Sequence, residues 1–303
     1  MRGFFSGENM RYESILDAIG NTPVVKIQKL NLNPKVSIYV KLEGNNPGGS
    51  VKDRIAKYMV EEAEKEGLLD PNKIILEATS GNTGIGLAMV SAFKGYKFVA
   101  IMPESVSVER RKLLQAYGAK VILTDPKRGT EGAIVTAKRM LKGNKKYVML
   151  DQFNNLANVL AHYETTGKEI IRDVPEIDIF VAGMGTGGTL MGVGKRLKEY
   201  DSTIKIVGIE PFLESKIQGL RSMIVYTPSI YDKEKLDLKI RVKDKDAFRL
   251  ARLLFLREGI SVGISSGAAM RGALKIVKEM KEGTIVVLFP DRGDKYLSTE
   301  LFG

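Results

Sequence analysis

The sequence predicts an α/β protein built on two parallel sheets, each covered by helices. Three observations carry this. Short apolar runs alternate with helix-period patterns along most of the chain, and two glycine-rich strand-to-helix turns lie roughly a hundred residues apart. The length of 303 residues, with 44% apolar and 27% charged residues, suits a globular chain forming one large or two medium domains.

The elements follow in order. Ser37–Lys41 reads as a strand, followed by a Pro/Gly turn and a helical pattern from about Val51. Strand-like runs recur at Ile74–Leu76, Phe98–Met102, Lys120–Leu123, Ile179–Ala182, Lys205–Ile209 and Thr284–Phe289. Helical patterns over Asn82–Phe93, Glu109–Tyr117, Gly132–Leu141 and Thr189–Glu199 separate most of them. A helix between successive strands implies parallel pairing by crossover connections.

Composition narrows the chemistry. The chain contains no cysteine and a single histidine, His162. Disulfides, thiolate metal sites and zinc sites built on several histidines are therefore excluded, and no metal is expected. An enzyme with so few reactive side chains needs a cofactor to carry the reaction. The net charge of +11 peaks at KRMLKGNKK, residues 138–146. Without interleaved aromatics that run reads as a solvated helix face, so no nucleic-acid partner is expected. No apolar run approaches the roughly 18 residues of a membrane span. The opening MRGFFSGEN lacks an apolar core of signal-peptide length, so the expected location is the cytoplasm.

Three segments concentrate the chemistry. In LEATSGNTGIG (76–86), Gly81, Gly84 and Gly86 permit a sharp turn, while Thr79, Ser80 and Thr83 bring hydroxyls to a helix start. Such a turn either binds an anion through exposed N–H groups or is simply a capped helix. In IFVAGMGTGGTLMGVG (179–194), Gly185, Gly187 and Gly188 with Thr186 and Thr189 form a loop able to wrap a phosphate. That loop also satisfies G-x-G-x-x-G at Gly183, Gly185 and Gly188, with Glu210 ending the next strand where a ribose-binding acid belongs. A nucleotide-dependent dehydrogenase is thus a rival that pattern alone does not reject. In KLEGNNPGGSVKDR (41–54), Lys52 falls in the first turn of a helix. The dipole and partial burial there would lower its pKa toward the neutral amine that imine formation requires. The plainer alternative is a solvated lysine beside Asp53.

Together, NPGGSVKDR, TSGNTG and GTGGT resemble the O-acetylserine sulfhydrylase (cysteine synthase) family and the related cystathionine β-synthase core, which are fold-type II pyridoxal-phosphate enzymes. The resemblance extends through AIGNTPVVKI, DQFNNLANVLAHYETTGKEI, GIEP, KIQGL, GISSGAA and PDRGDKYLST, nearly the whole chain from about Tyr12. It implies two three-layer α/β domains, tryptophan-synthase-β-like, with pyridoxal 5′-phosphate in the cleft between them. The smaller would comprise 1–21 plus 44–154 and the larger 22–43 plus 155–303.

Roles implied by the resemblance attach to matching positions. Lys52 corresponds to the lysine that anchors the cofactor and moves the Cα proton. Gly185, Thr186, Gly187, Gly188 and Thr189 correspond to the phosphate cup, Asn82 to the partner of the ring hydroxyl, and Ser265 to the serine facing the pyridine nitrogen. Thr79, Ser80, Gly81, Thr83 and Gln152 correspond to the grip on the substrate carboxylate. His162 reads as peripheral, in packing or at the surface, and Glu210 becomes a strand-end residue with no ribose to bind. The implied reaction is β-replacement of O-acetyl-L-serine by sulfide. O-phosphoserine or cystathionine β-synthase-type replacement are the alternatives. A homodimer is implied, and the C-terminal tail of serine acetyltransferase is a possible partner. Two departures stand out. Leu156 replaces a common proline, which should alter only the local turn. Arg221 follows KIQGL in place of a small-residue run; it is either a reader of a phosphate leaving group or a solvent-facing arginine.

Overall fold

The computed structural model describes residues 11–79 and 81–303. Among them, ten strands form two sheets. The larger sheet contains β1 (Val24–Lys26), β2 (Val36–Leu42), β7 (Ile179–Gly183), β8 (Lys205–Pro211), β9 (Leu238–Val242) and β10 (Gly283–Phe289), in the order β1-β2-β10-β7-β8-β9. Only the β1–β2 pair is antiparallel. The smaller sheet, all parallel, contains β3 (Ile74–Ala78), β4 (Lys97–Pro103), β5 (Lys120–Thr124) and β6 (Tyr147–Val148), in the order β5-β4-β3-β6.

Strand alternation explains the layers. Along β10, Ile285, Val287 and Phe289 enter one core while Val286 and Leu288 enter the opposite one. Along β4, Phe98, Ala100 and Met102 face one core and Val99 and Ile101 the other. Both faces of both sheets are therefore apolar, which is why the central strands read as continuous hydrophobic runs. The helices α1 (Lys52–Lys65) and α2 (Asn82–Lys94) cover one face of the small sheet, and α4 (Gly129–Gly143) covers the other. On the large sheet, α7 (Gly188–Tyr200) packs on one face, while α8 (Asp244–Leu253) and α9 (Ile264–Val277) pack on the other.

Strand order places the functional loops. In each sheet it reverses beside one strand: β3 has β4 on one side and β6 on the other, and β7 has β8 on one side and β10 on the other. The crevice beyond the carboxyl end of such a strand is where open α/β sheets bind ligands. The loop containing Asn82 leaves β3, and the loop containing Gly185–Thr189 leaves β7.

The chain crosses between the sheets early. β2 pairs with β10 in the large sheet, yet α1, which follows after a short turn, buries Ile55, Ala56, Met59 and Val60 in the core of the small sheet. A buried ionic cluster fixes this crossing. The Arg54 guanidinium donates to Glu43 at 2.6 and 2.8 Å and to Glu169 at 2.6 and 2.8 Å, and Lys41 Nζ lies 2.8 Å from Glu169. These cations hold Glu43 and Glu169 below the ordinary carboxylate range.

The basic run of residues 138–146 lies at the end of α4 and in the following turn, with Lys138, Arg139, Lys142, Lys145 and Lys146 exposed. It is a solvated face. Leu156, 72% exposed, opens the short helix α5 (Leu156–Ala161) at the first helical position, where proline is also favoured. Asn155 caps it by accepting from the Ala157 N–H at 2.9 Å, so the departure is confined to that turn. No described helix is long and apolar enough to cross a membrane.

Candidate active site

The site forms where the two strand-end crevices face each other. Lys52 is the first residue of α1, and its position is set from across the molecule. The Val51 N–H donates to the Pro290 carbonyl at 2.8 Å, and Ser50 pairs with Asp291 in an isolated bridge. The side chain faces a cleft of about 770 Å³ and a smaller chamber of about 50 Å³ behind it. Burial pulls the Lys52 amine down to about 8, opposed by the negative charge of Asp291. The expected direction is right. Loss of water is the main cause.

Asn82 opens α2 and lines both spaces. Its Nδ2 donates to Asp291 Oδ2 at 2.7 Å, and its Oδ1 accepts from Lys295 Nζ at 3.1 Å. Thr79 is buried, and its Oγ1 accepts from the Gly81 N–H at 3.1 Å and the Gly84 N–H at 3.0 Å, which sets the loop's shape. Gly81 has φ +153°, and a Cβ there would lie 2.6 Å from Arg110 Cδ. Thr83 Oγ1 donates to Gln152 Oε1 at 2.6 Å, and both residues line the cleft. Ser80 lies outside the described residues.

The second loop faces Lys52 across the chamber. Gly187 adopts φ +90° and precedes the first turn of α7. Its neighbours come too close for any Cβ: one at Gly185 would lie 2.8 Å from the Gly219 carbonyl oxygen, and one at Gly188 would lie 2.0 Å from Asn158 Oδ1. Gly185, Thr186, Gly187 and Thr189 line the chamber with Ser265, which lies in the first turn of α9. Gly188 sits behind that wall, against Asn158. A helix N-terminus framed by glycines and two threonines is an anion cradle.

Several supporting residues were assigned no site role by the sequence, although they lie in a matched motif. Asn158 Nδ2 donates to the Gln152 carbonyl at 2.8 Å and to Thr186 Oγ1 at 3.0 Å, tying the two loops together. His162 is fully buried, with Nε2 3.2 Å from Thr189 Oγ1 and Nδ1 3.0 Å from Thr166 Oγ1. Burial and the nearby Lys52 and Arg54 charges hold its pKa well below the ordinary value, so the ring is neutral. The peripheral reading of His162 is corrected: it packs directly behind the cradle because Thr189 needs a polar partner there. A motif match gives a residue's place in the chain but not which face of the helix it occupies.

Arg221 lines the cleft and is half-buried, with its guanidinium 4.4 Å from the centroid of Phe153 and 5.1 Å from that of Tyr226. Glu210 is fully buried and accepts from the Met223 N–H at 2.8 Å and Arg241 Nε at 3.2 Å. A carboxylate so engaged has no role at a ribose, which removes the feature that favoured a dinucleotide.

The family described as "Pyridoxal-phosphate dependent enzyme" matches residues 15–291. The chain belongs to this family. Among pyridoxal-phosphate relatives, a cysteine synthase B of Salmonella typhimurium is 47% identical over 288 residues, 94% of each chain. The solved cysteine synthase of Entamoeba histolytica superposes with a TM-score of 0.93 at 40% identity, covering 100% of this chain and 94% of that one. A hydrogen sulfide-producing enzyme of Fusobacterium nucleatum superposes with a TM-score of 0.91 at 46% identity, covering 95% and 100%. The residues present suit the cofactor: an amine near neutrality, a cradle whose glycines exclude a Cβ, and a serine share one chamber.

Proposed function

We propose that this protein is a cysteine synthase, replacing the acetoxy group on Cβ of O-acetyl-L-serine by sulfide to give L-cysteine and acetate. The observation that carries this reading is the Lys52 amine lining the same chamber as the Gly185–Thr189 loop. The cofactor, when bound, supplies an electron sink that makes the substrate's Cα proton acidic. The chain's own residues do the rest. The loop and the α7 N-terminus hold the phosphate, Asn82 meets the ring hydroxyl, and the neutral Ser265 hydroxyl faces the ring nitrogen. Thr79, Ser80, Gly81, Thr83 and Gln152 take the substrate carboxylate. Lys52 takes the Cα proton as a general base. A neutral partner at the ring nitrogen limits carbanion stabilisation, which favours loss of the β-substituent over transamination.

Division into residues 1–21 plus 44–154 and 22–43 plus 155–303 belongs to the same reading, supported by the membership of β2 in the large sheet. Movement of the smaller unit over the substrate would exclude water. The reading also includes a cytoplasmic homodimer and docking of the serine acetyltransferase C-terminal tail at the cleft. The direct test is cysteine formation by the cofactor-loaded protein from O-acetylserine and sulfide. Absence of both cysteine and a visible-band change on adding O-acetylserine sinks the proposal.

The state of Lys52 gives a second test. Only the neutral amine attacks a carbonyl, and its fraction grows about tenfold per pH unit below the pKa. Loading of the apo-protein with pyridoxal phosphate should therefore accelerate from pH 6 and level off near the Lys52 value of about 8. An ordinary lysine would keep accelerating toward about 10.4. Stopped-flow absorbance checks this, and a rise continuing past pH 9 contradicts a buried amine.

Arg221 supports O-phosphoserine as the second donor. Among the described residues no carboxylate lies within ion-pair distance of it, and the aromatic rings hold its guanidinium at the cleft wall. A bidentate guanidinium–phosphate contact contributes about 1.5–3 kcal/mol. Arg221→Leu should cut the kcat/KM for O-phosphoserine by about tenfold or more while sparing O-acetylserine. Equal effects on both donors remove Arg221 from leaving-group recognition.

A further inference from the structure

Asn158 is fully buried between the two cores. Its helix, α5, carries Ala157 and Ala161 into the core of the small sheet, while Val159 packs against a core of the large one. The orientation of its amide follows from its partners. The Gln152 main-chain carbonyl can only accept, so the group facing it at 2.8 Å is the NH2. The other hydrogen of that NH2 goes to Thr186 Oγ1 at 3.0 Å. The amide oxygen, Oδ1, is buried against Gly188 and has no donor among the described residues. Turning the amide over would set that oxygen against the Gln152 carbonyl and lose both bonds. One orientation alone is supported.

That orientation fixes the polarity of Thr186. Its Oγ1 receives the Asn158 NH2 and also the Gly188 N–H, the latter at 3.3 Å. A hydroxyl oxygen has two lone pairs and a single proton. Both lone pairs are taken from within the protein, and among the described residues the proton is given to none. Thr186 lines both the cleft and the chamber, so what it has left to offer a ligand is a donor. Thr189, the other hydroxyl of the loop, is not constrained in this way. Its neighbour, His162 Nε2 at 3.2 Å, gives or takes a proton according to the tautomer.

We propose that Asn158 is a positioning residue that locks the Thr186 hydroxyl as a donor toward the cofactor's phosphate. It acts through Thr186. A phosphate dianion presents acceptors only, so a hydroxyl free to rotate would turn a lone pair toward it part of the time. A hydroxyl whose lone pairs are already occupied does not. The proposal rests on the reading of Gly185–Thr189 as the phosphate cradle. The second bond of the amide, to Gln152, serves the carboxylate side of the site, and it does not discriminate between ligands that differ only in their phosphate.

The test therefore compares pyridoxal 5′-phosphate with pyridoxal, which lacks the phosphate but keeps the aldehyde that reacts with Lys52. In the apo-protein, Asn158→Ala should weaken pyridoxal phosphate about tenfold, the scale of one charge-assisted hydrogen bond, and pyridoxal by less than about twofold. The same change made in Thr186→Val carries the decision. With the hydroxyl gone there is nothing to orient, so Asn158→Ala should then alter neither affinity by more than about twofold. Equilibrium dialysis gives the affinities, and thermal melting of the apo-protein reports folding. Should alanine disturb the fold, Asn158→Ser is the second variant, with one donor where the amide has two, and it is read by the same comparison. Equal losses for both ligands, or a tenfold loss that persists in Thr186→Val, overturn the proposal and leave the functional reading intact. If wild type binds pyridoxal as tightly as pyridoxal phosphate, the cradle reading and the proposal fall together.

Discussion

Lys52→Ala is expected to lose at least about 10⁴-fold in turnover while melting no lower than wild type. The two halves have separate causes. General-base catalysis alone contributes about 10²–10⁴, and the same change removes covalent attachment of the cofactor. Stability is spared because burial pulls this amine down to about 8 despite the attraction of Asp291, so removing it relieves more desolvation than it forfeits in attraction. The pH dependence carries the same sign. A lysine whose folded pKa lies below the unfolded value binds fewer protons when folded, so it costs stability below about 8 and the cost fades as pH rises toward about 10.4. The variant should gain slightly on wild type at pH 7 and lose that gain near pH 10. Cysteine accumulation over many turnovers by Lys52→Ala would refute the assignment outright.

The next largest effect belongs to Gly187→Asp, expected to weaken cofactor binding by about 100-fold, which is about 2.7 kcal/mol. At φ +90° any side chain is strained, and the new Cβ would lie 2.9 Å from Tyr231 Cβ. The introduced carboxylate also competes for the positive end of α7, the feature that makes the loop attractive to a phosphate. A helix N-terminus satisfied by its own aspartate repels a second anion. Asn82→Ala should behave differently, retaining cofactor through the loop but losing the colour change on substrate addition. Equilibrium dialysis and visible spectra separate the two. Normal cofactor content in Gly187→Asp would mean the phosphate lies elsewhere.

The parts of this molecule legible in the sequence are those set by local chemistry. Glycines at 81, 185 and 187 announce turns because no other residue allows such close backbone approach, and the apolar runs of β3, β4, β7, β8 and β10 announce parallel strands because both faces are covered. The observed strands run a residue or two further, as in Lys205–Pro211, because pairing continues after hydrophobicity ends. β9, with Leu238, Lys239 and Arg241 exposed, is an edge strand without an apolar run to mark it. β6 has only two residues. The helices α8 and α9 pack on each other and on the large sheet; α8 does carry a helix-period signal, burying Ala247, Leu250 and Ala251 at i, i+3 and i+4, that a strand-centred reading passes over. What the sequence hides is partnership. Asn158, His162, Asp291 and Lys295 are ordinary polar residues until the fold brings them to Thr186, Thr189, Asn82 and the Lys52 turn. Their contacts span from 27 to more than 200 positions, and no periodicity encodes a partner so far away.

The place of β10 has a consequence for how this protein is born. It is the last strand made, yet it lies between β2 and β7, with Gly283 opposite Val36 and Ile285 opposite Ile179. Until the ribosome has delivered it, the β1–β2 pair has no link to the rest of its sheet, and the Pro290 carbonyl that anchors the Lys52 turn does not exist. Pairing over such separations is slow compared with the closure of local structure. The four-stranded sheet, complete by Val148, can settle long before. A nascent chain therefore contains Lys52 for most of its synthesis without a pocket around it, and maturation ends with a single C-terminal insertion that closes the sheet and buries the amine in one event.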